Sequence, residues 1–166
     1  KTSKQMMTKA QALSWNDEQD RKVITSFLNE RGISVQDGGY WTVDLEGTDG
    51  NYYEIENVSY HAPTRFRSEG RFRIPYRKAH YWNGKDSYKN VHYFQFSNKS
   101  HNEFLCYPSS LIKKYVNNVV ELPYLKSKGW DLRQRQFISI PYDVGKDIIR
   151  RYVKKDNKFE RVTLKS

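Results

Sequence analysis

Asp44, Glu54 and Glu56 are three acids brought close together by two short alternating segments. Residues 51–58 alternate polar and apolar, the pattern of a strand. Glu54 and Glu56 then project from one face and Ile55 from the other. Asp44 lies in the preceding alternating segment, 40–46, across the turn residues Gly47-Thr48-Asp49-Gly50. In the register that sets Asp44 opposite Glu54, Glu46 faces Tyr52 and the loop runs from Gly47 to Asn51; a slip of one residue sends Asp44 to the other face. Like charges so close repel, and a hard divalent cation compensates them. Mg²⁺ takes oxygen ligands and is commonly held by one or two carboxylates plus a substrate phosphate. An ion there activates a water and stabilises charge developing on a phosphodiester. A solvated strand face carries the same alternation with no chemistry at all.

The segment that follows is basic. Arg65, Arg67, Arg71, Arg73, Arg77 and Lys78 fall within fourteen residues, opposed by Glu69. On an extended chain the odd positions present guanidiniums, while Phe66, Phe72 and Ile74 anchor the other side, with Gly70 free to turn. The planar guanidinium fork matches phosphate, so these arginines are expected to flank the acids as phosphate contacts. His61, in the same stretch, is expected to touch substrate. The four histidines have no metal-ligand spacing. Lys126, Lys128, Arg133 and Arg135 surround Trp130. The preferred reading there is a core tryptophan with a wet rim, and the alternative is a second nucleic-acid contact.

Positioning these groups needs a scaffold of helices and strands. Residues 1–13 are expected to form a polar arm, and 14–166 a single α+β domain. The first helix is capped by Ser14 or Asn16, carries Val23, Ile24, Phe27 and Leu28 at helical spacing, and ends at Gly32. Short strands are expected at 33–35, 40–46 and 51–58. Pro75 opens a helix that runs to Trp82. Strands follow at 91–96, 103–107 and 137–141, with a short helix after Pro108 and a loop over 123–135. A helix after Asp143 is expected to carry Val144, Ile148, Ile149 and Tyr152. Residues 158–164 form a last strand or a tail.

Composition limits the partners. The 166 residues carry 29 Lys and Arg against 19 Asp and Glu, a formal charge of +10. The pI is near 9.6 and the mean hydropathy −0.93. Such a balance favours a polyanion, nucleic acid first. No apolar run reaches the ~20 residues of a membrane span. The single cysteine, Cys106, excludes an internal disulfide framework, and a reducing cytoplasm is the expected compartment. Serine-nucleophile, P-loop and dinucleotide signatures are absent.

The order of helix, short strand, strand with Asp44, strand with Glu54-Ile55-Glu56, helix and further strand resembles the PD-(D/E)XK nuclease superfamily, over about residues 15–97. The resemblance implies a restriction-endonuclease-like core, α-β-β-β-α-β, whose central mixed sheet is flanked by helices, with C-terminal additions. It implies that Asp44 and Glu54 hold Mg²⁺ or Mn²⁺, and that the first helix adds an acid, Glu18 or alternatively Asp20. The family's usual lysine is replaced by Glu56, and either Glu56 or Lys78 takes that role. The implied activity is metal-dependent DNA endonuclease, as a homodimer if both strands are cut. The alternatives are an inactive nucleic-acid-binding module on the same fold and an RNA-processing nuclease.

Overall fold

The computed structural model describes residues 9–38, 43–58, 62–84 and 90–166, with side chains from residue 17 onward except that of residue 62. Helix α1 (Lys9–Glu30) starts ahead of the expected Ser14 or Asn16 cap. Ala10, Gln11, Ala12 and Leu13 are strong helix formers and extend it into the expected arm. Ile24, Phe27 and Leu28 are its buried stripe. At its end Gly32 takes φ +79. The Ile33 N–H reaches the Leu28 carbonyl at 3.0 Å and the Gly32 N–H the Asn29 carbonyl at 3.0 Å. That is a Schellman stop, built on the glycine's freedom in the left-handed region.

Strands β1 (Val35–Asp37), β2 (Leu45–Gly47) and β3 (Tyr52–Asn57) form an antiparallel meander. Residues 39–42 of the expected second strand lie outside the described residues. Glu46 pairs with Tyr52 and Leu45 with Tyr53, the register that faces Asp44 toward Glu54. The chain then crosses over through helix α2 (Ala62–Glu69), strand β4 (Arg71–Pro75), a 3₁₀ turn (Tyr76–Lys78) and the short helix α3 (His80–Asn83). Strand β5 (Val91–Phe96) returns parallel to β3, with Glu54 beside Tyr93.

Beyond it lie β6 (Glu103–Tyr107), α4 (Ser109–Tyr115) and β7 (Val119–Glu121). Two 3₁₀ segments, Pro123–Lys128 and Arg133–Arg135, lead to β8 (Gln136–Pro141), α5 (Tyr142–Gly145), β9 (Arg150–Lys155) and β10 (Lys158–Val162). The seven-stranded sheet runs β1-β2-β3-β5-β6-β9-β10, and a second sheet runs β4-β8-β7. The fold is α+β, with a central mixed sheet flanked by helices.

Alternation along the strands splits the core in two. Tyr53, Ile55, Phe94 and Phe104 pack against Ile24, Phe27 and Leu28 of α1. Val91, Tyr93, Leu105 and Tyr107 pack on the opposite side against Phe66, Phe72, Ile74 and Ile138. Because β3 and β5 are in parallel register, Glu54 shares the face of Tyr93. The acids therefore point toward the small sheet. Buried Gln95 ties the two sheets, donating to the Arg73 carbonyl at 3.0 Å and accepting from the Tyr107 hydroxyl at 2.6 Å.

Three sequence expectations change here. Residues 62–69 are helical, so the even–odd alternation of the arginine stretch holds only along β4, where Phe72 and Ile74 are fully buried. Pro75 closes β4 opposite Phe137 and also caps the helical stretch after it. The expected helix is thus present one residue later and in two short pieces, the 3₁₀ turn Tyr76–Lys78 and α3, which ends at Gly84; β4 is an edge strand, where a proline's missing N–H is tolerated. The helix at Asp143 stops at Gly145. A Cβ on that glycine would meet the Phe72 ring at 2.6 Å, so α5 lies flush on β4, with Tyr142 stacked on Phe72 at 4.9 Å. Tyr152 belongs to β9 and packs on Phe27 at 4.8 Å.

Candidate active site

The β2–β3 register brings Asp44 and Glu54 together, and two reciprocal bonds hold them. The Asp44 carboxylate accepts the Ile55 N–H at 2.8 Å, and Glu54 Oε1 accepts the Asp44 N–H at 3.3 Å. Adjacent residues of the 3₁₀ turn after β4 then capture alternate acids of β3. Lys78 Nζ donates to Glu54 Oε2 at 2.5 Å. Arg77 donates to Glu56 Oε2, and the Tyr93 hydroxyl to Glu56 Oε1. Lys78 is 8 % exposed and Glu54 5 % exposed.

Burial shapes the charges. It pushes the Glu54 pKa up to about 7; the Lys78 ammonium opposes that shift and the Asp44 charge adds to it. Burial disfavours the Lys78 ammonium too, but the Glu56 and Glu54 charges outweigh it and hold its pKa above the ordinary lysine value. Lys78 is therefore a fixed cation, while Glu54 titrates near neutrality.

A cleft of about 390 Å³ opens over these groups. Helix α1 contributes Asp17 and Asp20 to its lining, and the β5–β6 turn contributes Lys99 and His101. His101 is bonded through Nε2 to the buried Asp20. The Asp17 pKa is raised by burial and by the charges of Asp20 and Asp44. Asp17 and His101 escaped sequence reasoning. Asp17 was one acid of several in a helix start, and His101 reaches the cleft only through a turn folded against α1.

Glu18 does not face the cleft. It pairs with Lys22 at 3.4 Å on the exposed side of α1. Asp17 and Asp20, three residues apart, share the face that does, and Glu18 lies about 100° round the helix from Asp17. Among the described residues no three Asp, Glu, His or Cys side chains are gathered as a metal ligand set.

The arginines divide instead of forming one face. Arg77 walls the cleft. Arg73 is 3 % exposed, pairs with Glu69 at 3.4 Å and lies 4.9 Å from the Phe137 ring, so it is structural. Arg67 donates to the Ser166 carbonyl at 2.9 Å, beside a separate hollow. Arg65 is exposed, 3.9 Å from Glu69. Arg71, half-buried, starts β4 and lines none of these spaces. His61 lies outside the described residues. His92 is a packing residue whose Nδ1 accepts the Ser109 N–H at 3.1 Å.

Trp130 departs from its sequence reading most clearly. It is 39 % exposed instead of buried. It lines a second groove that shares Glu56, Asn57 and Arg77 with the acidic cleft. Among the described residues no helix is long and apolar enough to cross a membrane. No family model, curated protein or solved structure matches the chain.

Proposed function

We propose that the chain is a divalent-metal-dependent endonuclease acting on DNA, with a PD-(D/E)XK-like site in which Lys78 takes the lysine role. The observation that carries this reading is the Asp44–Glu54 pair, set by strand register and met by a buried lysine from the 3₁₀ turn after β4. The order of elements supports it as well: a helix, a three-strand meander, a helical crossover and a strand parallel to the third. Glu56 is the weaker candidate for that role, because Arg77 and Tyr93 occupy both its oxygens.

The donor chemistry suits Mg²⁺ or Mn²⁺. Asp44 and Glu54 offer hard oxygens, and two carboxylates suffice when substrate phosphate and waters complete the shell. A bound ion would supply an acidified water and neutralise charge on the phosphodiester. The chain's own residues do the remainder. The Ile55 N–H fixes the Asp44 carboxylate, Lys78 favours ionised Glu54, and the Lys78 ammonium stands ready to orient the attacking water and offset charge on the phosphate. Asp17 and Asp20 edge the same space from α1.

A second reading is a nucleic-acid-binding module without catalysis. What favours it is the saturation of Glu54 by Lys78 and the Asp44 N–H, together with the lack of a three-ligand set among the described residues. Nicking of supercoiled plasmid with Mg²⁺ or Mn²⁺ separates the two. The nuclease reading expects cleavage that EDTA, Asp44→Asn and Glu54→Gln each abolish. Cleavage unaffected by both substitutions, or no cleavage with either ion, overturns it.

A further inference from the structure

The groove beside the cleft has a volume of about 460 Å³, within the range of about 300–1,000 Å³ usual for ligand sites. Tyr124 is 45 % exposed and Trp130 39 % exposed, and both line it. Large aromatics left in water need a reason, and a floppy loop is not the reason here. Arg135, 8 % exposed, donates to the Trp130 carbonyl at 2.7 Å and pairs with Glu121 at 3.2 Å. Asp131 and Gln134 bond each other's backbone N–H reciprocally, both at 2.9 Å. Leu122, Leu125 and Phe137 form a small core beneath. The loop backbone is fixed from behind, so the ring is presented at little entropic cost.

The groove's charge is one-sided. Among the described residues, Arg65, Arg73, Arg77, Lys128 and Arg133 line it against Glu56, with Glu69 behind Arg65, Arg73 and Tyr124. Arg73 is buried against Glu69 and Arg77 is held by Glu56. Lys128 and Arg133 are exposed on the loop, and Arg65, 3.9 Å from Glu69, is exposed at the rim, so these three are the cations a ligand reaches first. Aromatic faces interleaved with cations match a chain of bases and phosphates. A duplex keeps its base faces stacked inside and offers such rings only base edges and backbone. An unpaired nucleotide offers both.

We infer that this groove binds unpaired nucleotides of the strand held in the acidic cleft, with a base on Trp130 and Tyr124 and the flanking phosphates on Lys128, Arg133 and Arg65. The continuity with the cleft rests on the nuclease reading; the groove's own chemistry does not. The substrate class is then a nucleic acid with a single-stranded segment, such as a flap, an overhang or an extruded base, next to the bond that is cut.

The test is binding of a short labelled single strand and of a blunt duplex to the full chain, in EDTA, by fluorescence anisotropy. The single strand is expected to bind more tightly. Trp130→Ala is expected to weaken it by roughly 5- to 150-fold, the span of one stacked base, while duplex affinity and melting temperature hold. Trp130→Phe should retain most of the affinity. Lys128→Ala and Arg133→Ala should each flatten the slope of log K against log salt by about 0.7, the value for one phosphate on a single strand. Single-strand affinity indifferent to both Trp130→Ala and Tyr124→Ala overturns the inference. So does polyglutamate competing as well as the oligonucleotide, because the groove would then read charge alone. Trp130-dependent binding without any metal-dependent cleavage keeps the inference and removes the nuclease reading. Cleavage with Trp130-independent binding does the reverse.

Discussion

The acidic cleft and the aromatic groove share a wall of Glu56, Asn57 and Arg77 yet are built in opposite ways. The cleft is made of buried polar groups on strands. Glu54 and Lys78 are nearly sealed from solvent, and each depends on the other. The groove presents exposed side chains, Tyr124, Lys128, Trp130 and Arg133, on a loop whose backbone is held by Arg135 and by the Asp131–Gln134 pair. A change in the cleft therefore disturbs chemistry and stability together. In the groove, binding is separable from folding.

The largest effect is expected at the acids. Asp44→Asn or Glu54→Gln should lower plasmid nicking by at least about a hundredfold, the upper range of loss produced by residues merely behind a metal ligand. Metal-free DNA binding should hold or tighten, because a charge that repels phosphate is removed. Equal loss of binding would merge the two regions into one binding surface.

Lys78→Met should follow, with nicking down about 10²–10³-fold, the loss expected for one fixed donor aimed at developing charge. Removing one partner of a buried ion pair also costs about 3–5 kcal/mol, so denaturant unfolding should register a clear loss. Glu56→Gln leaves Arg77 in solvent and should be milder on both counts. A harsher loss of nicking for Glu56→Gln would return the lysine role to Glu56.

Among the arginines, Arg73→Ala removes the buried cation facing Glu69 Oε1, while Arg65 and the Tyr124 hydroxyl still reach Oε2, and should cost up to about 3 kcal/mol of stability. Arg65→Ala should stay within about 0.5 kcal/mol while weakening single-strand binding. If both melt alike, Arg65 belongs to the scaffold and the groove loses a phosphate contact.

A smaller effect tests the cleft's charge. Glu54 holds its proton in the folded chain up to about 7, against 4.5 for an ordinary glutamate. The folded chain therefore binds more protons than the unfolded chain between those values. This group's contribution to stability is present below about pH 4.5 and is lost as pH rises through about 7. The ionised form, which prevails above that point, is the one a cation needs. Mg²⁺ is expected to raise Tm by about 2–4 °C near pH 8, the shift of roughly 1 kcal/mol in a chain of this size, and not at pH 5. An equal rise at both pH values would put the ion elsewhere. The smallest effect is at Glu18: Glu18→Ala should change neither nicking nor Tm, since its partner Lys22 is as exposed as it is.

Alternation and turn chemistry, both local, were enough to place β3, β5, β6 and the Gly32 stop of α1 from the amino-acid order. The sequence posed the β2–β3 register as a condition for Asp44 to meet Glu54, since a slip of one residue reverses the faces, and the pairing of Leu45 with Tyr53 meets it. That pairing also dictated which acids would meet. The arginine stretch was misread because Phe66, Phe72 and Ile74 fit a strand period across a helix–turn–strand break. The break is set by Gly70, at φ +78, and by docking of both halves on one core. The helix expected after Asp143 is shorter in the structure because Arg150–Lys155 form strand β9 and pair with β6, a long-range partner that local periodicity does not contain.

Sequence alone determined an excess of cations, a hairpin bearing acids and a neighbouring basic segment, because charge and two-residue periodicity are properties of the chain itself. Tertiary structure decided which cation meets which acid: Lys78 with Glu54, Arg77 with Glu56, Arg73 with Glu69. It decided that Asp17 and Asp20, not Glu18, face the cleft, because helix rotation is fixed by the buried stripe of Ile24, Phe27 and Leu28. It also turned Trp130 outward. The reason is common to all of these: partners far apart in the chain are selected by packing, and packing belongs to no single segment.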